Sequence, residues 1–154
     1  MKTVKRVTLA LIFVWAGVQL QAAVDYQVIP LPASIQLQEG AAFELQPGVT
    51  VYYSPKNEAM QRNAGYLSTY LKEALGAVSV TKTGKGKKGI NLVIDKSVQH
   101  PEGYILTVNS KGITIAGSTA AGVFYGIQTL RKSLPPVAKG TVSLPAVKIA
   151  DAPR

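Results

Sequence analysis

The sequence predicts an α+β (α/β) fold in which two helices pack on one face of a mixed β-sheet. Two segments carry apolar residues at spacings of three and four, which indicates helices with one buried side. Around them lie short segments that are rich in β-branched residues or alternate apolar with polar positions, which is typical of strands. Strands, a helix, strands and a second helix follow one another, and this order places both helices against a shared sheet.

Residues 1–23 have the pattern of a secretory signal peptide. Basic residues lie near the start, an apolar run follows at 7–20, and the small residues Ala22 and Ala23 come next. The run is shorter than the roughly 20 residues of a membrane span. We therefore expect cleavage and an exported protein, periplasmic or extracellular, without a membrane partner afterwards. An uncleaved N-terminal anchor is the alternative.

Three strands are predicted between residues 26 and 53. The two prolines near the start of this segment exclude a helix and favour an extended edge. Alternating apolar residues predict a strand around Ile35 and a second one around Phe43. The β-branched and aromatic residues at 49–53 predict the third.

The first helix is predicted between Ser54 and Gly76. Ser54 or Asn57 suits the N-terminal cap, and Gly76 suits the C-terminal stop. Tyr66 and Tyr70 lie on a face beside the apolar stripe. We expect them to widen the buried face of the helix, and a pair of rings that stacks on a sugar is the alternative. The predicted stripe consists of Met60, Ala64, Leu67, Leu71 and Leu75.

Two further strands are predicted at 77–83 and 90–95, joined by a loop in which lysines alternate with glycines. We interpret this loop as a solvated hairpin tip, and weak attraction to acidic polysaccharide or lipid headgroups is the alternative. The strand at 90–95 is apolar at most positions, which predicts coverage on both faces.

The formal net charge of +9 does not indicate a nucleic-acid binder. Three positive charges leave with the signal peptide, and four more lie in and beside the lysine-glycine loop. In the rest of the chain, positive and negative charges are nearly equal in number. Nucleic-acid binders usually spread basic residues over a face. We therefore expect no nucleic-acid partner. The four lysines are Lys82, Lys85, Lys87 and Lys88.

The C-terminal part predicts a hairpin and the second helix. Apolar and polar residues alternate at 104–108 and at 113–115, on the two sides of a turn at 109–112. The helix is predicted from Thr119 to about Ser133, and two prolines end it before an extended tail. Its predicted stripe consists of Val123, Ile127, Leu130 and Leu134.

The stretch 115–130, "IAGSTAAGVFYGIQTL", runs from a strand through small residues into a helix. Gly117 and Gly122 have the spacing of a phosphate-binding loop, but the lysine and the hydroxyl residue that such a loop needs do not follow. We interpret the stretch as a packing joint. Gly117 permits a sharp exit from the strand, Ser118 or Thr119 caps the helix, and small residues let its first turn lie close to the sheet.

Residues that usually carry chemistry are few. The chain has no cysteine, which excludes disulfides, thiolate metal sites and a cysteine nucleophile. His100 is the single histidine, and no serine has the G-x-S-x-G setting of a hydrolase. We therefore predict no catalytic, cofactor-binding or metal-ligating residue and no cofactor. The acids, which form no obvious acid–base pair, are Asp25, Glu39, Glu44, Glu58, Glu73, Asp95, Glu102 and Asp151.

Several stretches together resemble the N-terminal, non-catalytic domain of family 20 glycoside hydrolases, the exported β-N-acetylhexosaminidases. The resemblance covers about residues 26–154. It lies in "VIPLPASIQLQEGAAFEL" at 28–45, "GYILTV" at 103–108, "GITIAGSTAAGVFYGIQTL" at 112–130 and "ADAPR" at 150–154. It implies a mixed sheet with two helices on one side, which agrees with the elements above.

The resemblance also implies a catalytic neighbour. In the family, D-x-P-R is followed by an aromatic residue and Arg-Gly, which open a (β/α)8 barrel that holds the catalytic Asp-Glu pair. Arg154 matches the arginine before that barrel, so no catalytic position has a counterpart here, and whether this polypeptide is itself an enzyme is left open. The predicted organisation is a signal peptide at 1–23, the accessory domain at 24–148 and a junction at 149–154. We interpret the end of the chain as truncation.

The leading hypothesis is an accessory domain of an exported β-N-acetylhexosaminidase that releases terminal N-acetylglucosamine or N-acetylgalactosamine from glycans. Its partners would be the barrel of the same polypeptide and, through the barrel, the glycan. The alternative is a stand-alone carbohydrate-binding or protein-interaction module without catalysis. Aromatic faces for such a module would come from Tyr52, Tyr53, Tyr66, Tyr70, Tyr104 and Tyr125, most of which we expect in the core.

Overall fold

The structure, a computed structural model, describes residues 24–136 and 138–152 and confirms the predicted fold class. The predicted signal peptide lies outside the described residues. No helix in the described ranges is long and apolar enough to cross a membrane. The elements are β1 (Ser34–Leu37), β2 (Phe43–Leu45), β3 (Thr50–Tyr53), α1 (Glu58–Leu75), β4 (Val80–Thr83), β5 (Gly89–Ile94), β6 (Tyr104–Asn109), β7 (Gly112–Gly117), α2 (Ala120–Ser133), β8 (Val142–Leu144) and β9 (Val147–Asp151).

A seven-stranded mixed sheet forms the body of the domain, in the order β1-β9-β6-β7-β5-β3-β4. The pairs from β1 to β7 are antiparallel, and those from β7 to β4 are parallel. The predicted hairpin is confirmed, since β6 pairs with β7 around the turn at 109–112. β2 and β8 pair separately as a two-stranded ribbon. The predicted division between 148 and 149 stays a prediction, and β9 runs across it.

Both helices lie side by side on one face of the sheet. Asn57 is the cap of α1, because its Oδ1 accepts a hydrogen bond of 3.1 Å from the backbone N–H of Met60. Gly76 ends the helix in the left-handed conformation, with φ of 86°. These two residues confirm the predicted ends of α1, with Asn57 rather than Ser54 as the cap.

The core lies between the helices and the sheet, and both predicted stripes are confirmed. Every residue of the two stripes is buried. The strands contribute β-branched and leucine side chains to the same layer, among them Val51, Ile90, Leu106, Ile115 and Ile149. Burial of this apolar surface is the main stabilising term, at about 25 cal/mol for each Å² removed from water.

The lysine-rich loop differs from its prediction. β4 and β5 do not pair with each other, because both run parallel to β3 and lie on its two sides. The loop at 84–88 therefore crosses β3 on the helix-free face of the sheet. A Cβ atom built on Gly86 would lie 2.0 Å from the Tyr52 ring, so the loop backbone rests on this ring. The side chain of Asn91 accepts from the Gly86 N–H at 2.9 Å and donates to its carbonyl at 3.1 Å. The predicted hairpin tip is therefore wrong. The loop is a crossover connection that contacts the Tyr52 ring and is hydrogen-bonded to the Asn91 side chain.

The predicted coverage of β5 on both faces also needs correction. Ile90 and Leu92 are buried beneath the helices, whereas Asn91 and Val93 point to the other face and are half-buried. Among residues 24–136 and 138–152 no helix lies on that face, and the crossover loop covers part of it. The apolar run in the sequence therefore belongs to a strand with one fully covered side.

Candidate functional site

The start of α2 has the contacts of a packing joint. Thr119 is the cap, and its Oγ1 accepts from the N–H groups of Ala121 and Gly122 at 3.1 and 3.4 Å. The same hydroxyl donates to the carbonyl of Pro101 at 2.6 Å. The hydroxyl of Ser118 donates to the carbonyl of His100 at 2.9 Å. The loop that precedes β6 thus lies against the helix N-terminus, where a phosphate group would have to bind.

Two glycines explain why this joint needs small residues. A Cβ atom on Gly122 would lie 2.2 Å from the carbonyl oxygen of Gly103, and one on Gly117 would lie 2.6 Å from the backbone nitrogen of Val123. Both neighbours are backbone atoms, which cannot move aside by a change of rotamer. The glycines therefore serve the close approach of strand, loop and helix.

His100 lies in a turn, and the acids are exposed or half-buried in turns, on strands and along α1. Nδ1 of His100 accepts from the N–H of Glu102 at 3.1 Å within one turn. The structure brings Glu102 and Asp151, which are far apart in the sequence, to the rim of one cleft. Within residues 24–136 and 138–152, no three histidine, cysteine or acidic side chains are grouped as metal ligands. The predicted lack of catalytic, cofactor and metal residues stays a prediction.

The six tyrosines proposed as aromatic faces are distributed unevenly. Tyr104 is buried, and Tyr52, Tyr53 and Tyr70 are half-buried. Tyr70 packs against the core, and its hydroxyl donates to the carbonyl of Arg131 at 3.0 Å, so it widens the packed face as predicted. The exposed pair is different, since Tyr66 and Tyr125 leave 37% and 41% of their surface in solvent. The expectation that most of the six lie in the core was too broad.

Three exposed rings form a continuous patch on the outer side of the helices, which we call the helix-face cluster: Tyr66, Phe124 and Tyr125. The ring centres of Tyr66 and Phe124 are 5.5 Å apart at 53°, and those of Phe124 and Tyr125 are 6.3 Å apart at 65°. Nη1 of Arg131 donates to the Tyr66 hydroxyl at 2.6 Å, which holds one ring in place. The cluster joins both helices into one apolar surface.

A cleft continues this patch, and we call it the N-terminal cleft. Residues 28–30 form one wall, and the α2 residues Tyr125, Gln128 and Lys132 form the other. The cleft has a volume of about 430 Å³. Nζ of Lys132 donates to the carbonyl of Ile29 at 2.6 Å and so ties the N-terminal segment to the helix. Ile29 itself is 85% exposed, although it is apolar.

The floor of the cleft holds a buried tyrosine with a perturbed pKa. Burial raises the pKa of Tyr104 to about 12, and the nearby Asp151 adds to this, while a hydrogen bond with Thr129 opposes it. The two hydroxyl oxygens are 2.6 Å apart. Burial also raises the pKa of Tyr26, whose hydroxyl donates to the carbonyl of Pro145.

We expect the domain to lose stability as the pH rises from 10 to 12. In this range the unfolded chain releases the Tyr104 proton near its ordinary pKa of about 10, whereas the folded chain retains it. Below pH 10 this group contributes no pH dependence. Solvent at the rim of the cleft weakens the effect of burial on the Tyr104 hydroxyl. We therefore expect a loss of roughly 1–2 kcal/mol in the free energy of unfolding.

Urea unfolding of the parent and of Tyr104→Phe at pH 8 and pH 11 measures this loss. The variant should be less stable at pH 8 by about 1 kcal/mol, because Thr129 loses its partner. It should also show a smaller drop between the two pH values. An equal drop in both proteins would contradict the assignment to Tyr104 and would leave Tyr26 as the main buried group that titrates there.

The family model described as glycosyl hydrolase family 20, domain 2, matches residues 25–152. A β-hexosaminidase from Porphyromonas gingivalis is 30% identical over 136 residues, which are 82% of this chain and 17% of the relative. A lacto-N-biosidase from Bifidobacterium bifidum is 30% identical over 132 residues, 80% of this chain and 11% of the relative. The chain thus spans less than a fifth of the length of these relatives.

Solved structures agree with this match. The N-acetyl-β-hexosaminidase of Streptomyces plicatus, solved in complex with Thio-NAglucal, aligns with a TM-score of 0.73 and 32% identity, over 84% of this chain and 26% of that one. The family 20 β-N-acetylhexosaminidase of Streptomyces coelicolor aligns with a TM-score of 0.72 and 32% identity, over 84% and 27%. The chain belongs to glycosyl hydrolase family 20 and corresponds to domain 2 of its enzymes.

Proposed function

We propose that this chain is the accessory domain of an exported β-N-acetylhexosaminidase, and that it packs on the catalytic barrel of the same polypeptide and helps to place it. The complete enzyme would release terminal N-acetylglucosamine or N-acetylgalactosamine from glycans. The observation that carries the proposal is the family match across 25–152 together with the small share of each relative that this chain spans.

The arrangement of the domain supports a packing role. The N-terminus of α2, the most conspicuous candidate for a ligand site, is occupied by the chain's own Thr119 cap and by the loop before β6. The exposed apolar surface lies instead on the outer side of the helices. Such a surface fits a protein neighbour better than a small polar ligand.

The test is to sequence the DNA beyond codon 154 and to assay the complete gene product. We expect an open frame that continues with an aromatic residue and Arg-Gly, and hydrolysis of a chromogenic N-acetylglucosaminide. A well-folded complete product that does not hydrolyse this substrate would refute the proposal. A stop codon after Arg154 would do the same and would favour a free-standing module.

A stand-alone carbohydrate-binding module is the second candidate, because Tyr66 and Tyr125 present exposed ring faces. The rings of the helix-face cluster are tilted against one another by 53° and 65° and so offer no flat platform for a sugar chain. Calorimetric titration of residues 24–154 with N-acetylated oligosaccharides separates the two candidates. Heat of binding that is lost in Tyr66→Ala and Tyr125→Ala would favour the module, and its absence would remove it.

A further inference from the structure

The helix-free face of the sheet carries a row of polar side chains that crosses several strands. Lys148 is exposed between two buried neighbours in β9, so its side chain points away from the helices. In the strand register Lys148 lies opposite Thr107, and Thr107 lies opposite Thr114. Thr114 in turn lies opposite Asn91 of β5. The row therefore extends from β9 to β5 over about 14 Å, which is three times the usual spacing of neighbouring strands.

Polar and apolar positions lie side by side on this face. Thr107 and Thr114 are half-buried, and each hydroxyl can donate and accept a hydrogen bond. The next row along the strands consists of Ile105, Ala116 and Val93, which are cross-strand neighbours of one another. A sugar ring presents hydroxyl groups at its edge and C–H groups on its faces. The two rows together therefore suit a sugar better than a purely apolar ligand.

The crossover loop at 84–88 forms a wall along one side of the two rows. Lys85 and Gly86 of the loop line a groove of about 360 Å³, whose floor lies on β5 and β7. The Gly86 N–H donates to Oδ1 of Asn91 at 2.9 Å, and Nδ2 of Asn91 donates to the Gly86 carbonyl at 3.1 Å. These bonds fix the wall before a ligand arrives, which lowers the entropic cost of binding.

Positive charge exceeds negative charge around this groove. Lys85 and Lys87 are exposed on the loop, and Lys148 is exposed at the far end of the polar row. In the part of the chain that the structure describes, the one ion pair within 4.0 Å joins two residues of α1, so these lysines take part in none. Asp95 also lines the groove, where it accepts from the N–H of Ser97 at 2.9 Å and offsets part of the charge. A ligand with anionic groups complements the remainder.

The spacing of the cations indicates which anionic ligand fits. Two neutral hydroxyl groups, those of Thr107 and Thr114, lie between Lys148 and the loop. A densely sulfated polymer would place charges opposite these hydroxyls, whereas a glycan with spaced carboxylates would place its own hydroxyl groups there. The surface of a membrane would contact the exposed lysines without entering the groove. The arrangement therefore favours a glycan of low charge density.

We propose that the helix-free face binds a strand of an acidic polysaccharide. Uronate carboxylates of this strand pair with Lys85 and Lys148, and the sugar hydroxyls between them form hydrogen bonds with Thr107 and Thr114. This inference goes beyond the proposed function, because it requires neither the barrel nor hydrolase activity.

Calorimetric titration of the 154-residue chain with a hyaluronan decasaccharide, which has a carboxylate on every second sugar, tests the proposal. We expect the affinity to fall roughly tenfold when the salt concentration rises from about 20 to about 200 mM, because salt screens exposed charges. The same oligosaccharide with its carboxyl groups reduced to alcohols is the matched neutral probe, and it should bind about tenfold more weakly. Equal affinity for both probes, or no binding of hyaluronan at the lower salt concentration, would overturn the proposal.

Three lysine variants separate the groove from a general attraction to positive charge. Lys85→Gln and Lys148→Gln should each weaken hyaluronan binding about threefold, as expected for exposed charge pairs. Lys72→Gln is the control, because Lys72 is exposed on α1, on the other side of the sheet. It should leave the affinity unchanged. An equal loss in all three variants would mean that the charge attraction is diffuse, and the groove would then be the wrong site.

Thr114→Val tests the floor of the groove, because it removes a hydroxyl group without changing the charge or the branching of the side chain. We expect it to weaken hyaluronan binding about fivefold, which corresponds to one lost hydrogen bond. A thermal midpoint equal to that of the parent shows that the variant is folded. An unchanged affinity in a folded variant would mean that the ligand does not enter the groove, which contradicts the proposal.

Two further probes test the identity of the ligand. Dextran sulfate represents a densely charged polymer, and phosphatidylglycerol vesicles represent an anionic membrane. We expect both to bind more weakly than hyaluronan at the higher salt concentration and to be insensitive to Thr114→Val. If either one bound more tightly than hyaluronan, with a loss in Lys85→Gln and Lys148→Gln, the acidic polysaccharide would be the wrong ligand for this face.

Discussion

Gly122→Ala is expected to lower the free energy of unfolding by about 2–3 kcal/mol, although alanine is the better helix former. The new methyl group would lie 2.2 Å from the carbonyl oxygen of Gly103, well inside van der Waals contact. Either the first turn of α2 or the loop before β6 must shift, and both are fixed by the hydrogen bonds of Thr119 and Ser118. The gain in helix propensity, about 1 kcal/mol, is smaller than this steric penalty.

Gly65→Ala is the matched control for this prediction. Gly65 lies in the interior of α1, is exposed, and has no atom within 4 Å of a Cβ built on it. The substitution should therefore raise the free energy of unfolding by about 1 kcal/mol. Urea denaturation followed by circular dichroism measures both. If the two variants were stabilised alike, the close approach of α2 to the Gly103 loop would be wrong.

The helices and the joint before α2 could be predicted because their determinants are local. The stripe of α1 needs only apolar residues at spacings of three and four, and Asn57 and Gly76 mark its ends through their own backbone preferences. The small residues around Gly117 likewise predict a close approach. The identity of the loop that approaches them, which contains Gly103, depends on tertiary contacts.

The path of the crossover loop could not be predicted from local sequence patterns. Two short strands joined by a glycine-rich loop fit a hairpin, and the sequence offers no signal against it. The actual pairing depends on β3, an element that precedes both strands and lies between them. The strongest anchor of the loop, the side chain of Asn91, lies within β5 and reads in the sequence as an ordinary polar strand residue.

The candidate interface was only partly visible in the sequence. Tyr66 stands beside the stripe of α1, and Phe124 and Tyr125 lie off the stripe of α2, so large aromatic residues outside a buried stripe were the available signal. Their contact with one another depends on how the helices pair. The exposed Ile29 and the α2 residues across the cleft from it come together only in the folded chain.

Leu67→Ala and Tyr66→Ala should separate the stability of the domain from its docking surface. The Leu67 side chain is fully buried, so its removal should lower the free energy of unfolding by about 2–5 kcal/mol. That is a large part of the 5–15 kcal/mol typical of a whole domain. Tyr66 is its neighbour in the sequence but is exposed on the outer side of α1, where a ring contact and two hydrogen bonds, one of them at 3.5 Å, are lost. Its removal should lower the same quantity by about 1 kcal/mol.

The contrast between these two variants decides what the outer face of α1 does. Urea denaturation of the 154-residue chain gives the two free energies, and the thermal midpoint of the complete gene product shows whether Tyr66 gains importance there. In the complete product Tyr66→Ala should lower the stability by more than in the short chain, because the substitution then also removes a contact to the barrel. Leu67→Ala should have a similar effect in both proteins, since its contacts lie within the domain. Equal losses for Tyr66→Ala in the two proteins would mean that its ring serves the helix pair alone.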